Sequence, residues 1–228
     1  MGIHDGHRER MKQEFLDSGL EHFSEVRALE LLLFFCRPQG DVNPLAHRLL
    51  DTFGSLAGVL EAQPEALMAV SGVGTHVAAL LRLIPELSTK YLVSRRTADV
   101  ILSDASSLYD LFFPYFFGAR DETVFLGCFD AKLKLLGVRK ISAGMSTATD
   151  ISTRQVASAA LSLNAAAVVL AHNHPSGVAK PSDEDVSTTR YLSQFLRGMG
   201  VVLYDHVIFA DGDMVSFRES GYMLAFST

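Results

Sequence analysis

The sequence predicts a small all-α unit followed by an α/β (α+β) domain with a mixed sheet flanked by helices, and three observations carry that prediction. Apolar residues recur at helical spacing from Arg8 to Tyr91. Beyond residue 98 the period changes, and strand-like runs alternate with helical ones. Between the two lies SRRTADVILSDAS, residues 94–106, polar and irregular enough for a linker or a first edge strand. A boundary near residue 97 therefore divides the chain into 1–97 and 98–228. At 228 residues, two compact domains are a normal expectation.

In the first unit, Val26, Leu29, Leu32, Leu33 and Cys36 follow the three-to-four spacing of a buried helix face, and Arg37-Pro38 ends it. Short helices are expected at Pro44–Thr52, Ser55–Ala62, Pro64–Val70 and Thr75–Leu87. Val70-Ser71-Gly72-Val73-Gly74-Thr75 is a tight interhelical turn in which glycine permits positive φ. It resembles a helix-hairpin-helix element, whose second helix offers backbone N–H groups to a DNA phosphate. That helix begins Thr75-His76-Val77-Ala78, with no Lys or Arg before Arg82. DNA contact through Gly72–Gly74 and a plain interhelical turn both remain open.

In the second unit, Glu122–Phe129 and Leu133–Val138 are expected as a hairpin turning at Asp130-Ala131-Lys132, with Ile141–Met145 as another strand. Ser152-Thr153-Arg154-Gln155 has capping-box form and opens a helix with Val156, Ala159, Ala160 and Leu163 on one face, stopped at Asn164. Ala165–Ala171 is a continuous apolar run of strand length, as expected of a strand covered on both sides. Val186–Arg197 should be helical. Val201–Phe209 and Met214–Phe217 should form a hairpin around Asp211-Gly212, a type I′ signal.

Composition narrows the function classes. Hydrophobic residues make up 48% and charged residues 20%, ordinary for a globular chain. A net charge of −6, spread evenly over both halves, argues against a protein that embraces nucleic acid by bulk electrostatics. The longest apolar stretches fall short of the roughly 20 residues a membrane helix needs. The N-terminus lacks the apolar core of a secretory signal, and Gly6 stands where a myristoylation motif has Ser or Thr. A cytoplasmic protein without a membrane partner is expected. Cys36 and Cys128 belong to no C-x-x-C pair and are expected as buried free thiols.

The chemistry concentrates after the apolar strand, at His172-Asn173-His174-Pro175-Ser176-Gly177. Side chains two apart on extended backbone project to one side, so His172 and His174 can face a single ion. The chain then turns through Pro175, Gly177 and Pro181 to Ser182, the expected N-cap of the next helix, with Asp185 in its first turn. That fold-back can return the Asp185 carboxylate to the histidines. Two imidazoles and one carboxylate leave a fourth tetrahedral position open, which is the hallmark of catalytic rather than structural zinc.

These residues resemble the JAMM motif of the JAB1/MPN metalloproteases and, more closely, the bacterial RadC family. The resemblance covers most of the chain: His7-Arg8-Glu9-Arg10, Asn43-Pro44-Leu45-Ala46, Phe53-Gly54-Ser55-Leu56 and the Gly72–Gly74 turn, then Ala171–Gly177, Pro181–Asp185 and Asp205-His206. It implies a JAB1/MPN-like zinc hydrolase domain with a cytidine-deaminase-like mixed sheet, preceded by a helix-hairpin-helix domain. It further implies Zn2+ held by His172, His174 and Asp185, with Ser182 stabilising an oxyanion and Glu122, at the start of its strand, as general acid/base. One departure stands out: where the family pattern has Pro-Arg-Glu, this chain has Thr153-Arg154-Gln155. Were that missing glutamate the proton shuttle, the protein would be a zinc-binding pseudoenzyme. His206 could orient the site from behind a ligand, or be a structural histidine.

The leading functional expectation is thus a zinc-dependent metallopeptidase or isopeptidase acting on a protein or peptide substrate. The rival is a DNA-associated repair or recombination factor, in line with the family's name, with a structural or vestigial metal. A nuclease is weaker, since no acidic two-metal cluster accompanies His172-Asn173-His174. A zinc deaminase lacks its Cys pair.

Overall fold

The computed structural model describes residues 3–94, 100–143 and 151–226. The chain forms two compact units, 1–90 and 91–228. The boundary expected near residue 97 lies outside the described residues. Among the described residues no helix is long and apolar enough to cross a membrane.

The first unit holds α1 (Ile3–Ser18), α2 (Glu25–Cys36), α3 (Asn43–Phe53), α4 (Leu56–Glu61), α5 (Pro64–Met68) and most of α6 (Thr75–Ser94). Local chemistry sets the ends: Ser24 and Ser55 cap α2 and α4, Pro44 and Pro64 open α3 and α5, and Gly54 closes α3 in the left-handed region. Helix α6 continues through Pro85 to Ser94 rather than stopping at Leu87. Leu29, Leu33, Leu45, Leu49, Leu67 and Leu81 form the core. Buried Arg8 lies over the Phe34 ring and donates to the carbonyls of Arg37 and Gly40, which ties α1 to the loop after α2. Buried Glu30 accepts from Asn43 Nδ2 and pairs with His7 Nε2, both at 3.1 Å. The His7-Arg8 motif therefore has a structural use within this unit.

The second unit is built on one mixed sheet in the order β2-β1-β3-β4-β5. Its strands are β1 (Thr123–Phe129), β2 (Leu135–Ala143), β3 (Ala167–Asn173), β4 (Val202–Ala210) and β5 (Asp213–Ser216). Only β3 and β4 run parallel; the other neighbours are antiparallel. All seven residues of β1 and of β3 are buried, as befits the sheet centre. Alternation sorts them onto two faces. Val124, Leu126, Cys128, Val168 and Leu170 pack with α8 (Thr153–Ser162) and α9 (Asp183–Gly198), while Phe125, Phe129, Val169 and Ala171 pack with α7 (Ala105–Phe116). Gly127 lets α7 approach closely, since a Cβ there would come within 2.8 Å of the Phe112 ring.

Three expectations need correction. The runs 133–138 and 141–145 are joined in one strand, β2: Leu133 and Lys134 belong to the turn before it, Arg139 and Lys140 pair with Leu126 and Phe125, and the register shift at Ile141 does not end a strand that is, among the described residues, at the sheet edge. Residues 144 and 145 lie outside the described residues. Of the stretch 94–106, expected as a linker or a first edge strand, residues 95–99 lie outside the described residues; beyond them Ile101 makes an isolated bridge to Lys134, and Asp104 then caps α7, a helix the sequence pattern did not reveal. Its capping box uses Ser107, and Leu108, Leu111, Phe112 and Phe116 follow helical spacing, but Tyr109, Phe113 and Tyr115 make the remaining positions apolar as well and Pro114 stands inside the helix. Finally, Cys128 is buried, with burial pushing its thiol up to about 11, but Cys36 is only half-buried. Both are free. The Asp211-Gly212 turn has positive φ at both residues, as a type I′ turn requires.

Replacing Arg8 with Ala removes two charge-assisted hydrogen bonds and is expected to destabilise the helical unit by about 2–3 kcal/mol. Denaturant-dependent hydrogen exchange of the α2 amides measures this, and a loss under about 0.5 kcal/mol would show the anchor to be dispensable.

Candidate metal centre

The site is assembled where β3 ends. Val168 and Leu170 face α8 and α9, so His172 and His174 fall on that side by alternation. Extended pairing persists past the strand, because His174 N–H donates to the Phe209 carbonyl at 2.8 Å. The chain then turns through Gly177, whose φ is +81°, close against the β4–β5 turn: a Cβ there would meet Asp211 Oδ2 at 2.6 Å. Helix α9 starts immediately after. Ser182 is its N-cap and Asp185 its third residue, joined in a reciprocal capping box.

That geometry brings His172, His174 and Asp185 together, with their ligand atoms all within 4.8 Å of one another. His172 Nε2 stands 2.9 Å from His174 Nε2 and 3.2 Å from Asp185 Oδ1, and His174 Nε2 is 3.4 Å from Asp185 Oδ2. Ligand atoms around a tetrahedral ion with bonds of ~2.0–2.1 Å are separated by about 3.3 Å, and the observed spacings bracket that value. His172 and Asp185 are fully buried, while His174 reaches the surface with 18% of its side chain exposed.

Two buried carboxylates show what is unusual here. Asp205 accepts from the backbone N–H groups of His206 and Arg218 and from Ser216 Oγ, so both its oxygens are satisfied. Burial pushes its carboxyl up. Asp185 is different. Its Oδ2 receives Ser182 N–H at 2.8 Å and Ser182 Oγ–H at 2.6 Å, but buried Oδ1 has no hydrogen-bond donor. His172 Nε2 is its close neighbour without hydrogen-bond geometry. Burial alone would raise Asp185, yet the two imidazoles and Ser182 override it and hold the carboxyl well below the usual carboxylate range. A buried, ionised oxygen without a donor costs about 1–3 kcal/mol or more, and a cation at that point removes the cost. The donor set thus fits a metal ion.

The histidines are oriented from behind. A carbonyl can only accept, so His174 Nδ1–H donates to Val178 O at 3.1 Å and a neutral ring turns its Nε2 lone pair inward. Asp185 beside it raises the proton affinity of that ring. His206, fully buried and stacked on Phe217, meets His172 Nδ1 at 2.8 Å, so the histidine weighed as an orienting partner does touch the predicted ligand. Burial pushes His206 well below an ordinary histidine.

Glu122 immediately precedes β1, half-buried, and by alternation shares the His172 face, since Val124 pairs opposite His172. Burial raises its carboxyl, His172 and His174 pull it down and Asp185 pushes it up, so it lies within the field of the triad. Gln155 is exposed in the first turn of α8, where its N–H donates to Ser152 Oγ.

Two residues escaped the sequence reading. Asn173 brackets Glu122: its Oδ1 accepts from Thr123 N–H at 2.9 Å and its Nδ2 donates to the Asp121 carbonyl at 3.2 Å. No local signal links residues fifty apart. Thr189 lies beneath the site with its Oγ 2.6 Å from His206 Nδ1. Its position one helical turn after Asp185 could have flagged it. Asn173→Ala should leave Thr123 N–H unsatisfied and lower stability by about 1–3 kcal/mol. Urea unfolding together with faster exchange of the Thr123 amide measures it; unchanged exchange would mean that the clamp carries no load.

Comparison with known proteins agrees with this architecture. Residues 102–222 match the profile of the RadC-like JAB domain, which spans the sheet, its helices and the triad. A UPF0758 protein of Rhodobacter capsulatus is 34% identical over 213 residues, covering 93% of this chain and 100% of its own. One from Ruegeria pomeroyi is 33% identical, covering 95% and 97%, and one from Fusobacterium nucleatum 29%, covering 95% and 96%. With that profile lying over the sheet and triad, and relatives matching nearly end to end, the chain belongs to the RadC-like JAB domain family.

Proposed function

We propose that this chain is a zinc-dependent hydrolase of amide bonds, a metallopeptidase or isopeptidase. The observation that supports it most directly is the buried Asp185 carboxylate, whose Oδ1 has no donor and lies 3.2 Å from His172 Nε2 while its Oδ2 lies 3.4 Å from His174 Nε2. Histidine nitrogen with a single carboxylate is a zinc donor set, and three protein ligands leave one position open. Zinc in such a site lowers the pKa of water from 15.7 to about 7 and polarises a carbonyl oxygen.

The chain's own groups supply the rest. Glu122 takes a proton from the attacking water at its carboxylate and returns it to the leaving amine nitrogen. Its raised proton affinity suits both transfers. Asn173 holds the backbone on either side of Glu122. Ser182 stabilises the tetrahedral oxyanion. Its hydroxyl is engaged with Asp185 Oδ2, but Ser182 N–H donates to the same oxygen, so the hydroxyl can turn to substrate without stripping the carboxylate.

Metal analysis and a panel of peptide and isopeptide-linked substrates test this. Wild type should hold about one zinc, His174→Ala should lose it, and Glu122→Gln should keep it while losing about 10²–10⁴-fold in turnover. Stoichiometric zinc with no Glu122-dependent turnover would favour a non-catalytic metal.

A DNA-associated role for the helical unit is a second reading, favoured by one observation. Arg37 and Arg48, remote in sequence from the Gly72 turn, bring guanidinium nitrogens to 3.5 and 3.4 Å from where a Gly72 Cβ would stand, and Arg48 Nε donates to Ser71 O. Cationic charge thus stands beside the N-terminus of α6. Duplex affinity should then fall steeply with salt and weaken in Arg48→Ala. Salt-insensitive or absent binding would discard this reading.

A further inference from the structure

The hydrogen bonds behind the candidate metal centre run in one direction, and a backbone carbonyl sets that direction. Thr189 Oγ lies within hydrogen-bond distance of two groups, the Asp185 main-chain carbonyl one turn earlier in α9 and His206 Nδ1 at 2.6 Å. The carbonyl has no proton, so the Thr189 hydroxyl must donate to it. Thr189 Oγ is then left as an acceptor, and His206 Nδ1 must carry the hydrogen between them. His206 is fully buried, and its side chain meets only His172 and Thr189 by hydrogen bonds among the described residues. Among the described residues no carboxylate bonds to it, so a charged ring there would be a buried cation without a partner, which is strongly disfavoured. A neutral His206 with hydrogen on Nδ1 presents a lone pair at Nε2. That lone pair is 2.8 Å from His172 Nδ1, which must therefore supply the proton. His172 is left with its Nε2 lone pair facing Asp185 Oδ1 and His174 Nε2.

We infer that Thr189 is a positioning residue for the metal centre: through His206 it fixes the tautomer of His172, so that Nε2 is ready to bind a cation before one arrives. This rests on reading His172, His174 and Asp185 as metal ligands. The relay begins at the backbone of Asp185 and ends on the ring of His172, so the residue that supplies the carboxylate also orients an imidazole. The two donors of the triad that are fully buried are thereby coupled within one hydrogen-bonded circuit. His174, the surface-reaching ligand, is oriented independently by Val178 O.

The relay also accounts for the orphaned carboxylate oxygen. With hydrogen on His172 Nδ1, the Nε2 lone pair and Asp185 Oδ1 stand 3.2 Å apart with no hydrogen between them. Two lone pairs face one another there, an arrangement that a proton between the two groups or a bound metal cation relieves.

Nitrogen-15 long-range NMR of the metal-free protein and zinc titration against a chromophoric chelator test the inference. Wild type should show His172 with hydrogen on Nδ1. Thr189→Val, which keeps the shape and removes the hydroxyl, should mix the His172 tautomers and weaken Zn2+ binding by about 10–100-fold. Thr189→Ser should restore both to within about threefold, which separates the hydroxyl's role from packing. A Thr189→Val protein that keeps the Nδ1–H tautomer and wild-type zinc affinity would overturn the proposal. Should Thr189→Val fail to fold, wild type alone decides, because hydrogen on His172 Nε2 would reverse the relay's direction and refute it. Absence of zinc binding in wild type would sink the metal reading separately, leaving the tautomer to judge the relay.

Discussion

The second unit is organised around a carboxylate that is buried before it is satisfied. Asp185 enters the interior as part of a helix cap, where Ser182 supplies both of the donors its Oδ2 receives. Its other oxygen faces His172 Nε2 and has no hydrogen-bond donor. A fold that leaves a charge in that condition must hold it rigidly, or the charge would turn to water. The restraint comes from three directions: the cap at the start of α9, the end of β3 paired on both sides, and His206 on β4 behind His172.

The sheet makes this restraint possible. With β1 and β3 fully buried, the helices on each face lock the strand that carries the histidines, and alternation aims both rings at α9. Asp205 shows the ordinary use of a buried carboxylate in the same unit. It accepts from His206, Ser216 and Arg218, joins β4 to the end of β5, and leaves no oxygen unsatisfied. One aspartate is cement and the other a socket, and the difference lies in the count of donors rather than in burial. Family membership supports a JAB-type architecture for the unit, and the donor set explains what such an architecture can hold.

Much of this was legible in the residues themselves. The Ala165–Ala171 run, the His-x-His step, the Ser182 cap and the Asp211-Gly212 turn are local signals, each governed by backbone chemistry over a few residues. Helix α7 was not legible, because aromatic residues fill both its buried and its outer positions, Pro114 lies inside it, and its capping box uses Ser107 where the usual signal is Glu or Gln. The charged pair Arg139-Lys140 suggested a break that an edge strand has no reason to make. The histidines at 172 and 174 stood out, whereas Asn173 between them looked like part of a tripeptide and is in fact the clamp on residues 121 and 123.

The sequence by itself determined the order of helices and strands apart from α7 and the unity of β2, the pairing of two imidazoles on one face and the placement of a carboxylate in the first turn of the following helix. Those follow from periodicity and capping, which act between neighbours along the chain. Only the tertiary structure decided that Asp185 Oδ1 has no donor, that Arg37 and Arg48 flank the Gly72 turn, and that Thr189 and His206 stand in series behind His172. Contacts of that kind join residues separated by many positions, and their hydrogen-bond directions depend on which donor the fold brings to which acceptor. No local pattern encodes that choice.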